Sequence, residues 1–235
     1  MQPRHGVVPQ AAEASNERAD ERRAWWARST ARVAGALALF AAIGAATGGA
    51  LAATAPSAGA ATTSCSVGFP ANAHVVGMAA TPSGGGYWEV DQFGDVVTFG
   101  NAPCDGSLTG TSLDAPIVGM AATPSGNGYW LAAADGGVFT FGHASFYGSM
   151  GGQHLNAPVV GMAATPSGKG YWLAAADGGV FTFGHASFYG SLGSITFSRS
   201  VKGMDATPDG GGYWLVTSGG GVFAFGNARI EPKSS

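Results

Sequence analysis

The sequence predicts an all-β protein: a β-propeller of four blades, each about 42 residues long with four antiparallel strands, preceded by a hydrophobic N-terminal helix. Three observations lead there. Trp88, Trp130, Trp172 and Trp214 recur at intervals of 42 residues, as do Gly77, Gly119, Gly161 and Gly203, and self-similarity at that period marks a repeat architecture. The 235 residues include 40 glycines and only 11% charged residues, against roughly 25% in ordinary soluble domains. That composition suits short strands and tight turns, because glycine inside a helix is costly. Finally, an uncharged run from Val33 to Ala53 follows a basic stretch, which sets the N-terminus apart from the repeats.

Residues 1–32 read as a polar, basic and disordered leader, and residues 33–60 as a signal-type apolar region ending in a cleavage segment. The small residues Ala58-Gly59-Ala60 place the cut between Ala60 and Ala61. The other reading is an uncleaved anchor, since about 20 apolar residues can span a bilayer. Both readings put the repeats outside the cytoplasm, either secreted or at the cell surface, and Arg22-Arg23 resembles a twin-arginine export signal. Cys65 lacks the apolar and small residues of a lipoprotein site before it. Cys65 and Cys104 are the only cysteines, and outside the cell such a pair reads as a disulfide.

Residues 61–72 form a predicted N-terminal strand or latch, followed by repeat 1 (73–114), repeat 2 (115–156), repeat 3 (157–198), repeat 4 (199–230) and a tail (231–235). In repeat 3 a first strand runs through VVGMAAT and stops at Thr165-Pro166, because proline cannot donate to a central ladder. The second, Tyr171 to Ala176, puts Tyr and Leu on one face and Trp on the other. Asp177-Gly178-Gly179 turns it into a third, VFTFG, and SFYGS is the expected fourth. One such sheet has two apolar faces, so neighbouring copies must stack.

The frame V-x-G-M-x-A-T-P-x-G-x-G-Y-W followed by D-G-G-V-F resembles the blades of WD40-like and related bacterial propellers. The string GYWLAAADGGVFTFGHASFYGS, present at Gly128–Ser149 and again at Gly170–Ser191, is similar to the tandem repeats of secreted actinobacterial propeller-like proteins. The resemblance covers about Ala73 to Ile230 and implies stacked blades in an extracellular setting. It brings no assigned activity, and the Gly-His and Trp-Asp pairs of WD40 blades are not in their usual places. Small residues such as Gly161, Ala163 and Ala164 suit a narrow central axis. Repeat 4 ends early at Pro232, so the segment Thr63 to Phe69 is expected to fill its outer strand and latch the ring. Without that latch, exposed edges favour dimerisation into a larger ring, a homodimer in place of a monomer.

Candidate sites follow from the repeats and from departures within them. Tyr87, Tyr129, Tyr171 and Tyr213 each precede a repeat tryptophan, and two roles are open: a ring of solvent-facing aromatics stacking on sugars, or filling between blades. Asp91, Asp95 and Asp205 break the repeat pattern in repeats 1 and 4, as do Glu89 and Asp209, and are the candidate ligand-binding acids. His143 and His185 occupy a position held by Asn101 and Asn227 elsewhere, which fits a turn and not a metal ligand. Asp135 and Asp177 fit hairpin turns. No catalytic motif is present, and near-identical blades present one residue type around an axis where a catalytic centre needs different ones.

Beyond Arg32 lie five basic and ten acidic residues, a net charge of −5, which argues against a nucleic-acid surface. The expected function is therefore an exported, non-catalytic binding or structural module without metal or cofactor. Its expected partner is a protein or a cell-surface polysaccharide, with membrane contact only through the N-terminal segment. The alternatives are a carbohydrate-binding, lectin-like propeller, and a hydrolase or lyase using the acids of repeats 1 and 4.

Overall fold

The computed structural model describes residues 65–195 and 199–231, all within one compact unit of the chain. The leader, the apolar region, the cleavage site at Ala60 and Ala61, and residues 232–235 lie outside the described residues. Among the described residues no helix is long and apolar enough to cross a membrane.

Each repeat folds into one antiparallel sheet of three strands. Repeat 1 holds β1 (Val75–Ala80), β2 (Gly86–Asp91) and β3 (Val96–Gly100), and repeat 2 holds β4 (Ile117–Ala122), β5 (Gly128–Ala133) and β6 (Val138–Gly142). Repeat 3 holds β7 (Val159–Ala164), β8 (Gly170–Ala175) and β9 (Val180–Gly184), and repeat 4 holds β10 (Val201–Ala206), β11 (Gly212–Thr217) and β12 (Val222–Gly226). All four are simple meanders with the middle strand central, and the register repeats: Ala79 faces Trp88, Ala121 faces Trp130, Ala163 faces Trp172 and Asp205 faces Trp214.

The turns form where the sequence placed them. After each first strand the threonine amide donates across the turn to a glycine carbonyl, Thr81 to Gly86 at 2.8 Å and Thr165 to Gly170 at 2.9 Å. At the second turn of repeats 2 and 3 the aspartate caps its own hairpin: Asp135 Oδ1 accepts the Gly137 amide at 2.9 Å and Asp177 Oδ1 that of Gly179 at 3.0 Å.

Three expectations are corrected. The fourth strand does not form: SFYGS is irregular in repeats 2 and 3. The residues Gly148 and Gly190 take φ of 126° and 127°, outside the range of extended L-residues, which ends any strand at that point. The backbone of this segment is also committed elsewhere, because the Tyr147 amide donates to Tyr171 Oη of the next repeat at 3.2 Å and the Gly148 carbonyl accepts from it at 2.6 Å.

The four sheets also do not close into a ring. The first strands follow one another in space, β1 beside β4, β4 beside β7 and β7 beside β10, but β10 does not stack on β1 in the same way. The approach along the row is close: a Cβ on Gly161 would lie 3.4 Å from the Cα of Gly203. The expected latch does not bridge the ends. Its described part, from Cys65 on, is tied to repeat 1, with the Ser66 amide donating to Val96 O at 2.8 Å and Cys65 bonded to Cys104 with the Cα atoms 5.7 Å apart. The latch therefore covers the outer edge of its own repeat, and the repeated sheets fit an open, propeller-like tandem array.

Candidate functional site

The tyrosines and tryptophans meet between sheets. Trp88 packs on Tyr129 with ring centroids 5.6 Å apart, Trp130 on Tyr171 at 5.6 Å and Trp172 on Tyr213 at 5.8 Å. Each tryptophan also donates its indole N–H to its own repeat, Trp130 Nε1 to Ser145 O and Trp172 Nε1 to Ser187 O, both at 2.8 Å. Each tyrosine hydroxyl donates backwards into the preceding repeat: Tyr129 to Gly106 O, Tyr171 to Gly148 O at 2.6 Å, and Tyr213 to Gly190 O at 2.5 Å. A buried ring with a satisfied hydroxyl supplies both apolar area and a directed bond.

The sugar-stacking ring of tyrosines is therefore corrected, because Tyr129, Tyr171 and Tyr213 are 0% exposed and turn toward the neighbouring sheet. Burial pushes the Tyr171 phenol up to about 12, and it raises those of Tyr129 and Tyr213 as well. Tyr87 is half-buried and stacks on Phe99 of its own sheet at 4.6 Å. Among the described residues before it, none supplies a tryptophan.

The acidic candidates separate. Asp91 and Asp95 share the hairpin between β2 and β3, where Asp91 Oδ1 accepts the amides of Phe93 at 2.9 Å and Asp95 at 3.0 Å. Asp91 is fully buried and its Oδ2 has no hydrogen-bond partner. Burial raises its carboxyl above the usual range, opposed by the two amides. Asp95 accepts from the Thr109 hydroxyl. Asp205 lies on β10, in a different sheet, exposed and bonded to the amide of Ala206 at 2.9 Å. The three acids thus do not converge on one point. Asp209 is a turn residue: Thr207, Gly211 and Asn227 donate to it and hold its carboxyl below the usual range. Among the described residues no three His, Cys, Asp or Glu side chains are grouped as metal ligands.

Beside the Asp91 hairpin lies an open hollow of about 260 Å³, lined by Gln92, Phe93, Thr111, Leu113, Asp114 and Pro116 among others. It occurs where repeat 1 departs from its neighbours. Phe93 takes the place of the hairpin acids Asp135 and Asp177, and stands 41% exposed. Gln92 is tied to its surroundings, its Nε2 donating to Asn72 O at 3.0 Å and its backbone carbonyl accepting from Ile117 at 3.0 Å. The Gln92 amide, whose oxygen accepts from the His74 amide at 2.5 Å and which keeps one N–H to spare, joins an exposed ring and the Asp114 carboxylate in a surface able to stack on an apolar face and bond hydroxyls around it.

Sequence reasoning missed two features. Phe146 and Phe188 stand exposed in repeats 2 and 3, while the neighbouring Tyr147 and Tyr189 are drawn to the next repeat by hydroxyl bonds to the Gly168 and Gly210 carbonyls at 2.9 and 2.8 Å. Asp105 occupies the place of Tyr147 and Tyr189 between repeats 1 and 2. Burial raises its carboxyl, with His143 pulling it down, and its Oδ2 has no hydrogen-bond partner. A scan against protein-family models and a search of curated proteins find no match to this chain.

Proposed function

We propose that the chain is an exported, non-catalytic repeat module of the propeller type that works outside the cell by binding, with repeats 2 to 4 as scaffold and the hairpin end of repeat 1 as the ligand face. One observation carries this reading. Of the residues that recur most faithfully, Tyr129, Tyr171 and Tyr213 with Trp88, Trp130 and Trp172 are consumed between sheets, while Gln92, Phe93 and Asp114 gather round the hollow of about 260 Å³. The Cys65–Cys104 bond supports an oxidising compartment, and the net charge of −5 beyond Arg32 speaks for a neutral or cationic ligand. The resemblance to secreted actinobacterial repeat proteins points the same way.

Phe93 beside the Gln92 amide and a carboxylate favours a carbohydrate over a protein partner, in the form of a single-site lectin and not a tyrosine ring. The hydrolase or lyase reading is the weaker one, since Asp91 is walled in by its own turn and Asp205 sits on another sheet. The test is retention of the full chain on a glycan array and on purified cell-envelope polysaccharide. Retention is expected, with Phe93→Ala losing it at least tenfold and keeping the melting temperature. Retention unchanged in Phe93→Ala, or substrate turnover abolished by Asp95→Asn, would reject this reading.

A further inference from the structure

The three seams inside the chain are one structure repeated, and the two outer sheets carry its separated halves. On the side that receives a preceding repeat, Met120 and Met162 are buried to 8% and 7% exposure and Ile117 and Val159 to 0%. At the open side of repeat 1 the same positions are Met78, 61% exposed, and Val75, 52% exposed. On the side that faces a following repeat, Ala132 and Ala174 are 0% exposed and Val138 is 9% exposed. At the open side of repeat 4 those positions are Val216 and Val222, each 40% exposed. Val216 is larger than the alanines it replaces, the opposite of what a solvent-facing cap needs.

The charges match as well. Glu89 stands where Leu131, Leu173 and Leu215 are buried, on the receiving side of repeat 1. Lys202 stands in the place of Val160, which packs against the cluster containing Leu215, on the delivering side of repeat 4. A seam formed between the two ends brings an acid and a base into positions that are both apolar in the internal seams. Asp205, in the place of Ala163, sits on the same face as Lys202 and leaves it more polar than an internal seam, as befits a contact between separate molecules.

We propose that repeat 4 of one chain docks on repeat 1 of a second copy, head to tail, and that two copies close into one ring. The contact is heterologous, joining different surfaces, so it closes only if a small number of copies completes the turn. Two copies of four sheets make eight, within the usual four to eight blades of a propeller, whereas three copies exceed it. Trp214 of one copy then meets Tyr87 of the other, as Trp172 meets Tyr213 within the chain.

The test is sedimentation equilibrium of the full chain in density-matched detergent, with Met78→Asp and Val222→Asp as variants. Both side chains are exposed in the single chain, so neither change disturbs its core. The unaltered chain is expected to be a dimer. Each variant alone is expected to be a monomer, because every seam of its ring carries one altered surface. Mixing the two variants is expected to restore a dimer, through the one seam whose surfaces are both intact, which also proves both variants folded. A wild-type monomer at all concentrations would overturn the proposal and leave the ends covered from within the chain or bare. A dimer that survives either change would overturn it in favour of a like-to-like contact, and variants that stay monomeric when mixed would overturn the head-to-tail pairing.

Discussion

Tyr171 shows how one residue joins two repeats. Its ring lies 5.6 Å from Trp130 and its hydroxyl donates to the Gly148 carbonyl at 2.6 Å, both in the preceding repeat. Removing the hydroxyl leaves the partly buried Gly148 carbonyl and Tyr147 amide without this partner, so Tyr171→Phe is expected to cost about 1 kcal/mol. Truncating the buried partner ring costs more: Trp130→Ala is expected to lose about 3 to 5 kcal/mol. Denaturant unfolding measures both, and a silent Tyr171→Phe would remove the hydroxyl from the account. The pairing itself was legible in part. Period-two alternation already placed Tyr and Trp on opposite faces of the second strand, but which face meets water depends on the neighbouring sheet. No single-repeat pattern contains that information.

At the scale of elements, the three strands were readable because a proline follows the first strand in every repeat and Asp-Gly marks the second turn in repeats 2 and 3, which the 42-residue period carries over to repeats 1 and 4. SFYGS misled because aromatic alternation imitates a strand, while the actual constraint is long-range: its amide and carbonyl are taken by the next repeat's tyrosine. The N-terminal segment misled for a related reason. Its spacing placed it at a missing outer strand, but the Cys65–Cys104 bond and the Ser66 amide hold it to repeat 1. The bond closes a loop with a sequence separation of 39, for which chain entropy gives about 4 kcal/mol at most. The double change Cys65→Ser and Cys104→Ser is expected to lower stability by about 2 to 4 kcal/mol, with the loss centred on repeat 1 in hydrogen exchange. Equal loosening of repeats 1 and 4 would mean that the segment bridges the ends after all. The hollow beside Phe93 was not legible, although Asp91 and Asp95 were marked as departures. Its lining comes from the β2–β3 hairpin and from the connection into repeat 2, which meet only in the fold.

The four described repeats form a row of nearly equal seams, and their stability is expected to behave as a sum over neighbouring contacts. The near-identity of repeats 2 and 3 then has a physical meaning, since each must fit both a preceding and a following copy. Repeats 1 and 4 have one neighbour each within the chain, and there the sequence drifts: Glu89, Phe93, Asp105, Lys202 and Asp205 all fall in these two repeats. The central claim is that the recurring tyrosines are structure and not site, and raising the pH addresses it directly. A phenol whose folded value lies above its free value of 10.0 leaves stability intact below that pH, and stability falls as pH climbs toward the folded value, about 12 for Tyr171. Tyrosinate absorbance and the β-sheet circular dichroism signal, followed together through that window, are the decisive measurement. The account predicts that Tyr129, Tyr171 and Tyr213, half of the six tyrosines, ionise only in the transition that destroys the sheets. Ionisation of all six near pH 10 with the sheets intact would contradict it, because rings that titrate freely face water.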